Sequence, residues 1–416
     1  MEKPKIRFKG YQEDWEQRKF GDLADYKKGP FGSAITKDMF VPKSEESIKV
    51  YEQQNAINKD WELERYFLPK EYALTKLKLF EVHGGDIIVS CAGTIGEIYE
   101  IPENADTGVI NQALMRVRVD EDCVDKRMFK IAFSNMIDDF TRVHSNGSAI
   151  KNIPPFSDLK PMGVLLPSLQ EQKKIGAYFD SLDHLITLHQ RKCEEMKTLK
   201  KYMLQKMFPQ NGQSVPQIRF SGFTEDWEQR KLGDIYGSIG NAFVGTATPY
   251  YAEQGHFYLE SNNVKDGQIN HNSEIFINDE FYEKQKDKWL HTGDMVMVQS
   301  GHVGHAAVIP EELDNTAAHA LIMFRNPKEK IEPYFLNYEY QTDKAKKKIE
   351  NITTGNTIKH ILASDMQEFV VDVPKYEEQK VIASYFCNID RLITLHQQKC
   401  DELRNIKKFM LQNMFI

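Results

Sequence analysis

Two clusters of amide side chains stand at matching places in the two halves of this sequence. They are Gln53-Gln54-Asn55 and Ser261-Asn262-Asn263. Asparagine and glutamine carry a donor and an acceptor on one planar group, which matches the pair that adenine presents in the major groove of DNA. A single cluster of this kind more commonly caps a turn. Its recurrence in both halves favours a surface that contacts bases.

Lysines and short polar loops accompany these amides, again in both halves, and they could hold phosphates beside the bases. Ser145-Asn-Gly-Ser148 and Thr353-Thr-Gly-Asn356 are such loops, and each precedes an Ile-Lys pair. The candidate DNA-contacting residues are Lys27, Lys28, Gln53, Gln54, Asn55, Thr94, Ser145, Asn146, Ser148, Lys151, Ser261, Asn262, Asn263, Lys265, His302, Thr353, Thr354, Asn356 and Lys359.

The sequence contains no recognisable motif for catalysis. The sequence has no G-x-x-x-x-G-K-[ST] phosphate loop and no G-x-G-x-x-G. Asn152-Ile-Pro-Pro-Phe156 is similar to the Asn-Pro-Pro-aromatic motif of amino-methyltransferases, but the inserted Ile153 breaks it. His302-x-x-His305 lacks an evident third metal ligand. We therefore predict no catalytic residue and no metal site in this chain.

An internal duplication organises the elements that must position these residues. Ile6–Leu23 and Ile218–Ile235 share thirteen of eighteen residues at an offset of 212. Pro167–Phe208 and Pro374–Phe415 share twenty-four of forty-two at an offset of 207. Between these segments the halves diverge without losing register. One scaffold that presents two different surfaces explains this pattern best; the alternative is a second copy that drifted without a purpose.

The shared segments after residue 167 predict two long helices. Apolar or semi-polar residues recur there at 4-3-4-3-4-3 spacing, which indicates a coiled-coil seam. One histidine stands in each seam, and we interpret it as a packing or register residue because it has no partner in its own helix. The predicted helix-pairing residues are Ile175, Phe179, Leu182, Ile186, His189, Cys193, Ile382, Phe386, Ile389, Ile393, His396 and Cys400.

The divergent middles predict short strands mixed with helices. Asp86–Ser90 and Asp294–Val298 are short apolar runs after Gly-Asp turns, so we expect buried strands. Further strands are expected at Gly108–Ile110 and Leu114–Val119, and helical periodicity is present over Cys123–Ser134 and Glu332–Lys348. The fold class is α+β. The predicted domains are residues 1–166 and 218–373, the helices are residues 167–208 and 374–416, and the linker is residues 209–217.

The composition limits the class of protein. The chain has 416 residues, with 41% hydrophobic and 28% charged side chains, as in globular proteins of two to four domains. We expect a cytoplasmic location, because no signal peptide or membrane-spanning run is evident and five scattered cysteines suggest free thiols. The net charge of −7 argues mildly against a nucleic-acid binder that acts alone.

The order of these parts resembles the specificity subunits of Type I restriction–modification systems over essentially the whole chain. The resemblance rests on the segments Ile6–Asp22 and Ile218–Asp234 and on Glu-Gln-Lys at 171–173 and 378–380. It implies two target-recognition domains, each reading half of a split site in double-stranded DNA, and two helices that pair antiparallel as a spacer. Two modification subunits with S-adenosylmethionine and two restriction subunits with ATP and magnesium would join the chain. These partners would also share the DNA affinity.

Two other classes of protein stay open at this point. One is a multisubunit scaffold that does not read DNA. The other is a fused, self-sufficient restriction enzyme, which the missing motifs and the length of the chain disfavour.

Overall fold

The structure is a computed structural model that describes residues 4–144, 153–210, 212–355 and 359–415. The chain forms two compact units. Unit 1 comprises Met1–Thr187 and Asp401–Ile416, and unit 2 comprises Leu188–Cys400. No helix in the described part of the chain is long and apolar enough to cross a membrane.

Unit 1 is built on two four-stranded sheets and a two-stranded ladder. The sheet orders are β2-β9-β6-β7 and β4-β3-β8-β5, and β1 pairs with β10. The strands are β1 Glu16–Lys19, β2 Ala24–Lys28, β3 Ser47–Tyr51, β4 Phe67–Pro69, β5 Glu81–Val82, β6 Ile87–Ser90, β7 Ile98–Glu100, β8 Gly108–Ile110, β9 Leu114–Val119 and β10 Gly163–Leu166. The helices are α1 Gln53–Ile57, α2 Lys70–Lys76, α3 Lys126–His144, α4 Phe156–Leu159 and the long α5 Leu169–Lys206, which continues into unit 2.

Unit 2 repeats the first sheet as β12-β21-β18-β19 and the ladder as β11-β22, and it adds a hairpin β15-β16. Its second sheet is ordered β13-β17-β14-β20, in which β17-β14-β20 corresponds to β4-β3-β8 of unit 1. Its strands are β11 Glu228–Lys231, β12 Tyr236–Asn241, β13 Tyr251–Ala252, β14 His256–Leu259, β15 Val264–Lys265, β16 Gln268–Ile269, β17 Phe276–Ile277, β18 Met295–Val298, β19 Ala306–Val308, β20 Ala317–Ala318, β21 Leu321–Pro327 and β22 Val370–Val373. Its helices are α6 Leu232–Ile235, α7 Asp279–Glu283, α8 Pro333–Glu339, α9 Asp343–Ile352, α10 Ala363–Gln367 and α11 Tyr376–Met414, whose last turns belong to unit 1.

The strands predicted after the Gly-Asp turns are confirmed and lie at the centre of their units. All four residues of β6 and of β18 are buried. Gly85 and Gly293 adopt φ angles of +82° and +86°, which glycine tolerates best. The carboxylate that follows each glycine accepts a backbone hydrogen bond from three residues upstream, at 2.9 Å for Asp86 and 2.8 Å for Asp294. In both units this turn therefore directs the chain into the buried strand, β6 or β18. The predicted α+β class is confirmed.

The two long helices lie against each other in antiparallel fashion within each unit. In unit 1, Lys407 Nζ is 2.6 Å from the Asp183 carboxylate. In unit 2, Lys200 Nζ is 2.7 Å from Asp390. These are equivalent pairs, because each position in α11 lies 207 residues after its counterpart in α5. The antiparallel pairing implied by the resemblance is therefore confirmed.

The seam residues are largely buried, and the two seam histidines contact each other. Their Nδ1 atoms, on His189 and His396, are 2.9 Å apart in unit 2. Each histidine, which has no partner in its own helix, therefore has one on the other helix, within the seam. One ring must present N–H and the other a lone pair at this distance. The side chains of Ile175 and Phe179 also join the core of unit 1, and Ile382, Phe386 and Ile389 join that of unit 2.

The Glu-Gln pair that opens each long helix anchors its unit. Arg7 donates two hydrogen bonds of 2.8 Å to the buried Glu171 carboxylate. The next side chain, Gln172, accepts from the backbone N–H of Asp125 at 3.0 Å and donates to the Pro167 carbonyl at 2.9 Å. Unit 2 has the same arrangement, with Arg219 on Glu378 and with Gln379 on the backbone. This explains in structural terms why the motif occurs twice.

One buried carboxyl group distinguishes unit 2. The side chain of Glu339, on α8, accepts a hydrogen bond of 2.9 Å from the Asp372 backbone N–H through Oε1, while Oε2 has no hydrogen-bond partner. Burial raises the pKa of Glu339 to about 8 from an ordinary value of 4.5. Between pH values of about 4.5 and 8, the unfolded chain has lost the Glu339 proton while the folded chain still binds it.

We therefore expect stability to fall as the pH rises from about 5 to 8, by up to about 1.4 kcal/mol per pH unit from this group. The neutral variant Glu339→Gln should show a flatter profile and should be more stable than the parent at pH 8. Urea unfolding at pH 6, 7 and 8 checks this. An unchanged slope in the variant would show that the carboxyl group is ionised in the folded chain.

Candidate nucleic-acid interface

Two candidate residues of unit 1, Lys27 and Lys28, line a cavity of about 590 Å³. Lys27 and Lys28, at the end of β2, line one side of it, and Ala92, next to the Gly93-Thr94 turn, lines another. The Gln53 side-chain amide joins the turn to the start of α1, because its Nε2 donates to the carbonyls of Ala92 at 2.6 Å and Thr94 at 3.0 Å. Gln54 and Thr94 are exposed beside it. The Gln53 amide therefore brings two parts of unit 1 that are distant in the sequence next to each other.

Asn55 and Asn263 have a different place from the one predicted. Both are buried, with 2% and 1% of their surfaces exposed. The Asn55 side chain accepts from the Glu52 N–H at 2.8 Å and donates to the carbonyls of Asp60 and Leu63, both at 2.9 Å. Asn263 makes the equivalent bonds in unit 2. These two amides are used within the protein, so they hold the loops that present their neighbours and cannot also face a base.

In unit 2 the candidates lie along the Gly301–Gly304 turn and its neighbours. The N–H of Gly301 donates to the Lys359 carbonyl at 3.1 Å, and Thr354 and His360 bond to each other through their backbones. On the other side, His305 Nδ1 accepts from the Asp266 N–H at 3.2 Å, next to the exposed Lys265. The structure therefore brings the Thr353-Thr354 loop, Lys359, His302 and Lys265 to one surface. Ser261 and Asn262 are respectively half-buried and exposed at the start of their loop.

The remaining candidates, Ser145, Asn146, Ser148, Lys151 and Asn356, lie outside the described residues. Burial lowers the pKa of His305 below its ordinary value, which favours the neutral imidazole that accepts the Asp266 bond. The His302 and His305 ring centroids are 6.5 Å apart. Within the ranges that the structure describes, no three His, Cys, Asp or Glu side chains gather as metal ligands would.

The aromatic part of the unit 1 surface was not predicted from the sequence. Phe31, Phe80 and Phe156 line the cavity together with Gln112. The available signal was the Gly29-Pro-Phe-Gly32 turn directly after Lys27-Lys28. Phe80 and Phe156 gave no comparable signal, because tertiary packing alone brings them to the cavity.

Comparison with known proteins identifies the family. The model for the Type I restriction modification DNA specificity domain matches the chain twice, over residues 12–198 and 224–405. This chain belongs to the Type I restriction–modification DNA specificity family. The resemblance drawn from the repeated motifs is therefore confirmed, and the chain is a non-catalytic specificity subunit.

Relatives of this specificity subunit cover most of its length. The specificity subunit of the Type I restriction enzyme MjaVIII from Methanocaldococcus jannaschii is 23% identical over 95% of this chain and 91% of its own. A putative MjaX specificity subunit from the same organism is 27% identical over 61% of this chain and 58% of its own.

Solved structures give the same fold. A Type I S subunit from M. genitalium has a TM-score of 0.63 at 14% identity, covering 100% of this chain and 99% of its own. A chain from a structural study of complex assembly in a type I R-M system has a TM-score of 0.52 at 16% identity, with 97% coverage of both chains.

Proposed function

We propose that this specificity subunit recognises a two-part DNA sequence, with unit 1 reading one half-site and unit 2 the other. The observation that carries the proposal is that both units repeat the strand order of their first sheet, β2-β9-β6-β7 and β12-β21-β18-β19, while the residues on the candidate surfaces differ. At the matched turns, unit 1 has Thr94 where unit 2 has His302, and Gln53-Gln54 stands where unit 2 has Ser261-Asn262. Such differences change the hydrogen bonds offered to base edges and hence the bases preferred.

Partner subunits dock, in this proposal, on the long helices. Two modification subunits would bring S-adenosylmethionine, and two restriction subunits would bring ATP and magnesium. Support comes from large apolar side chains that are exposed at equivalent positions of the two helices, where an isolated helix pair would favour polar residues. These residues are Leu185, Leu188 and Tyr202 on α5 and Leu392, Leu395 and Phe409 on α11.

A domain exchange tests the reading of half-sites. Replacing residues 24–160 with the same region of a relative should change one half of the methylated sequence and leave the other half and the spacing unchanged. The reciprocal exchange of residues 236–367 is the matched control and should change only the other half. Sequencing of methylated bases in cells that also carry the modification subunit gives the result. A change in both halves after a single exchange would contradict the one-unit, one-half-site assignment.

The same experiment separates the alternative of a scaffold that does not read DNA. In that case neither exchange would alter the methylated sequence, although the complex would still assemble.

A further inference from the structure

The aromatic side chain of Phe31 is exposed to solvent. Its surface is 90% exposed, while the preceding Pro30 is buried. The backbone around it is fixed, since Gly29 N–H donates to the Leu114 carbonyl at 2.8 Å and Ala34 N–H donates to the Phe31 carbonyl at 2.8 Å. A Cβ at Gly29 would lie 1.8 Å from the Asn111 carbonyl oxygen, so only glycine permits this close approach. The exposed ring is therefore attached to a backbone segment of fixed conformation.

The surroundings of Phe31 combine flat apolar rings with positive charge. Phe80 and Phe156 line the same cavity, and the charged residues among its described lining are Lys27 and Lys28. Lys27 Nζ is 5.2 Å from the Phe80 ring centroid, and Lys160 Nζ is 5.8 Å from that of Phe156. Aromatic rings bordered by lysines suit a ligand with stacked flat groups and a regular negative charge. The centre of a protein–protein interface, by contrast, is depleted in lysine.

We propose that Phe31 inserts into the base stack of the DNA half-site read by unit 1, while Lys27 and Lys28 contact the flanking phosphates. An apolar side chain inserted between base pairs unstacks them locally, and the ease of unstacking depends on the base step. Phe31 would thereby contribute to sequence preference without a hydrogen bond to any base. This inference rests on the proposed function and assigns a residue role within it.

Unit 2 provides an internal comparison. The strand register places Asn241 opposite Ile322 as Lys28 lies opposite Met115, so the residue equivalent to Phe31 is Val244. The aromatic residue before it, Phe243, packs against Phe281 with ring centroids 5.0 Å apart at 86°. The exposed residue of that loop is Val244, with 60% of its surface exposed. Because no aromatic ring projects from this loop, insertion of this kind is expected at the half-site of unit 1 and not at that of unit 2.

The test uses the full chain in complex with its modification subunit and a duplex that carries the sequence this complex methylates in cells. 2-Aminopurine, whose fluorescence rises when it unstacks, replaces each adenine of the two half-sites in turn. The wild-type complex should raise the fluorescence at one step of the unit 1 half-site. Phe31→Ala should abolish that rise and weaken binding about 10- to 100-fold, the range for loss of one aromatic–base stack. Phe31→Trp should retain both, and Val244→Ala should change neither at that half-site.

Unchanged fluorescence and affinity in Phe31→Ala would overturn the inference. Loss of the modification subunit from the Phe31→Ala complex during size-exclusion chromatography would also overturn it, because it would place Phe31 in a protein contact. Phe31→Leu and the thermal melting of each variant separate these results from misfolding. If the proposed function itself is wrong, the wild-type complex will not bind the duplex specifically. That result is obtained before any Phe31 variant is compared.

Discussion

Residues 1–212, expressed with the modification subunit, are expected to form a homodimer that methylates a palindromic two-part site. The site should consist of the half-site of unit 1 and its inverted copy. The expected effect is large, because the methylated DNA sequence would change from an asymmetric site to a palindromic one. Sequencing of methylated bases and analytical ultracentrifugation of the fragment check it.

The physical reason is that α5 and α11 present equivalent contacts to equivalent partners. In unit 1, the Trp15 ring meets Phe415 edge to face, with centroids 6.2 Å apart. In unit 2, Trp227 meets Phe208 in the same way at 5.8 Å. The end of α5 in one fragment can therefore take the place of the end of α11 in the other, in an isologous contact. The dimer lacks the covalent link, so it depends on concentration.

A pair of substitutions controls for this interpretation. Leu182→Asp places a charge on a seam residue that is 6% exposed, and it should make the fragment monomeric. The neighbouring Ser181→Asp lies on the exposed face and should leave the fragment dimeric. Methylation of the original asymmetric site by the fragment, or a soluble wild-type fragment that stays monomeric at high concentration, would contradict the internal symmetry.

Arg219→Met is expected to lower the free energy of unfolding by about 3–5 kcal/mol, the usual cost of leaving a buried carboxylate without its cation. The Glu378 side chain is 2% exposed, and Arg219 donates to both of its oxygens at 2.7 Å. Arg7→Met should have a similar effect in unit 1, where Arg7 holds Glu171. Urea unfolding monitored by circular dichroism provides the measurement.

The matched control is Lys284→Met, which removes a lysine that pairs with Glu280 on the surface of the same unit. Its effect should be small, because exposed ion pairs contribute little. The double variant Arg219→Met with Glu378→Met should recover most of the lost stability, since no buried charge then remains. A cost for Arg219→Met as small as that of the control would show that this ion pair does not anchor unit 2.

The sequence predicted the features that repeat in it. The Gly-Asp turns before β6 and β18 and the seams of the long helices follow from local residue patterns, and the internal repeat makes each visible twice. The amide clusters were only partly understood. The third amide of each cluster, Asn55 or Asn263, accepts from the backbone N–H of the glutamate three residues before it, so it turns inward and caps its own loop.

Other features depend on contacts between distant residues. The partner of His189 is 207 residues away, and the helix pairing is needed to find it. The raised pKa of Glu339 arises from burial on every side, and its position in unit 1, Ala132 by the offset of 207, carries no charge. The exposure of Phe31 was not predicted, because an aromatic residue in a sequence is normally assigned to the core.

The most direct test of the central proposal is to sequence the methylated bases of cells that carry this chain and its modification subunit, with cells that lack the chain as the control. We expect one new methylated motif made of two specific segments separated by bases without a preference. A continuous motif, or no motif that depends on this chain, would contradict the proposal that its two units read two half-sites.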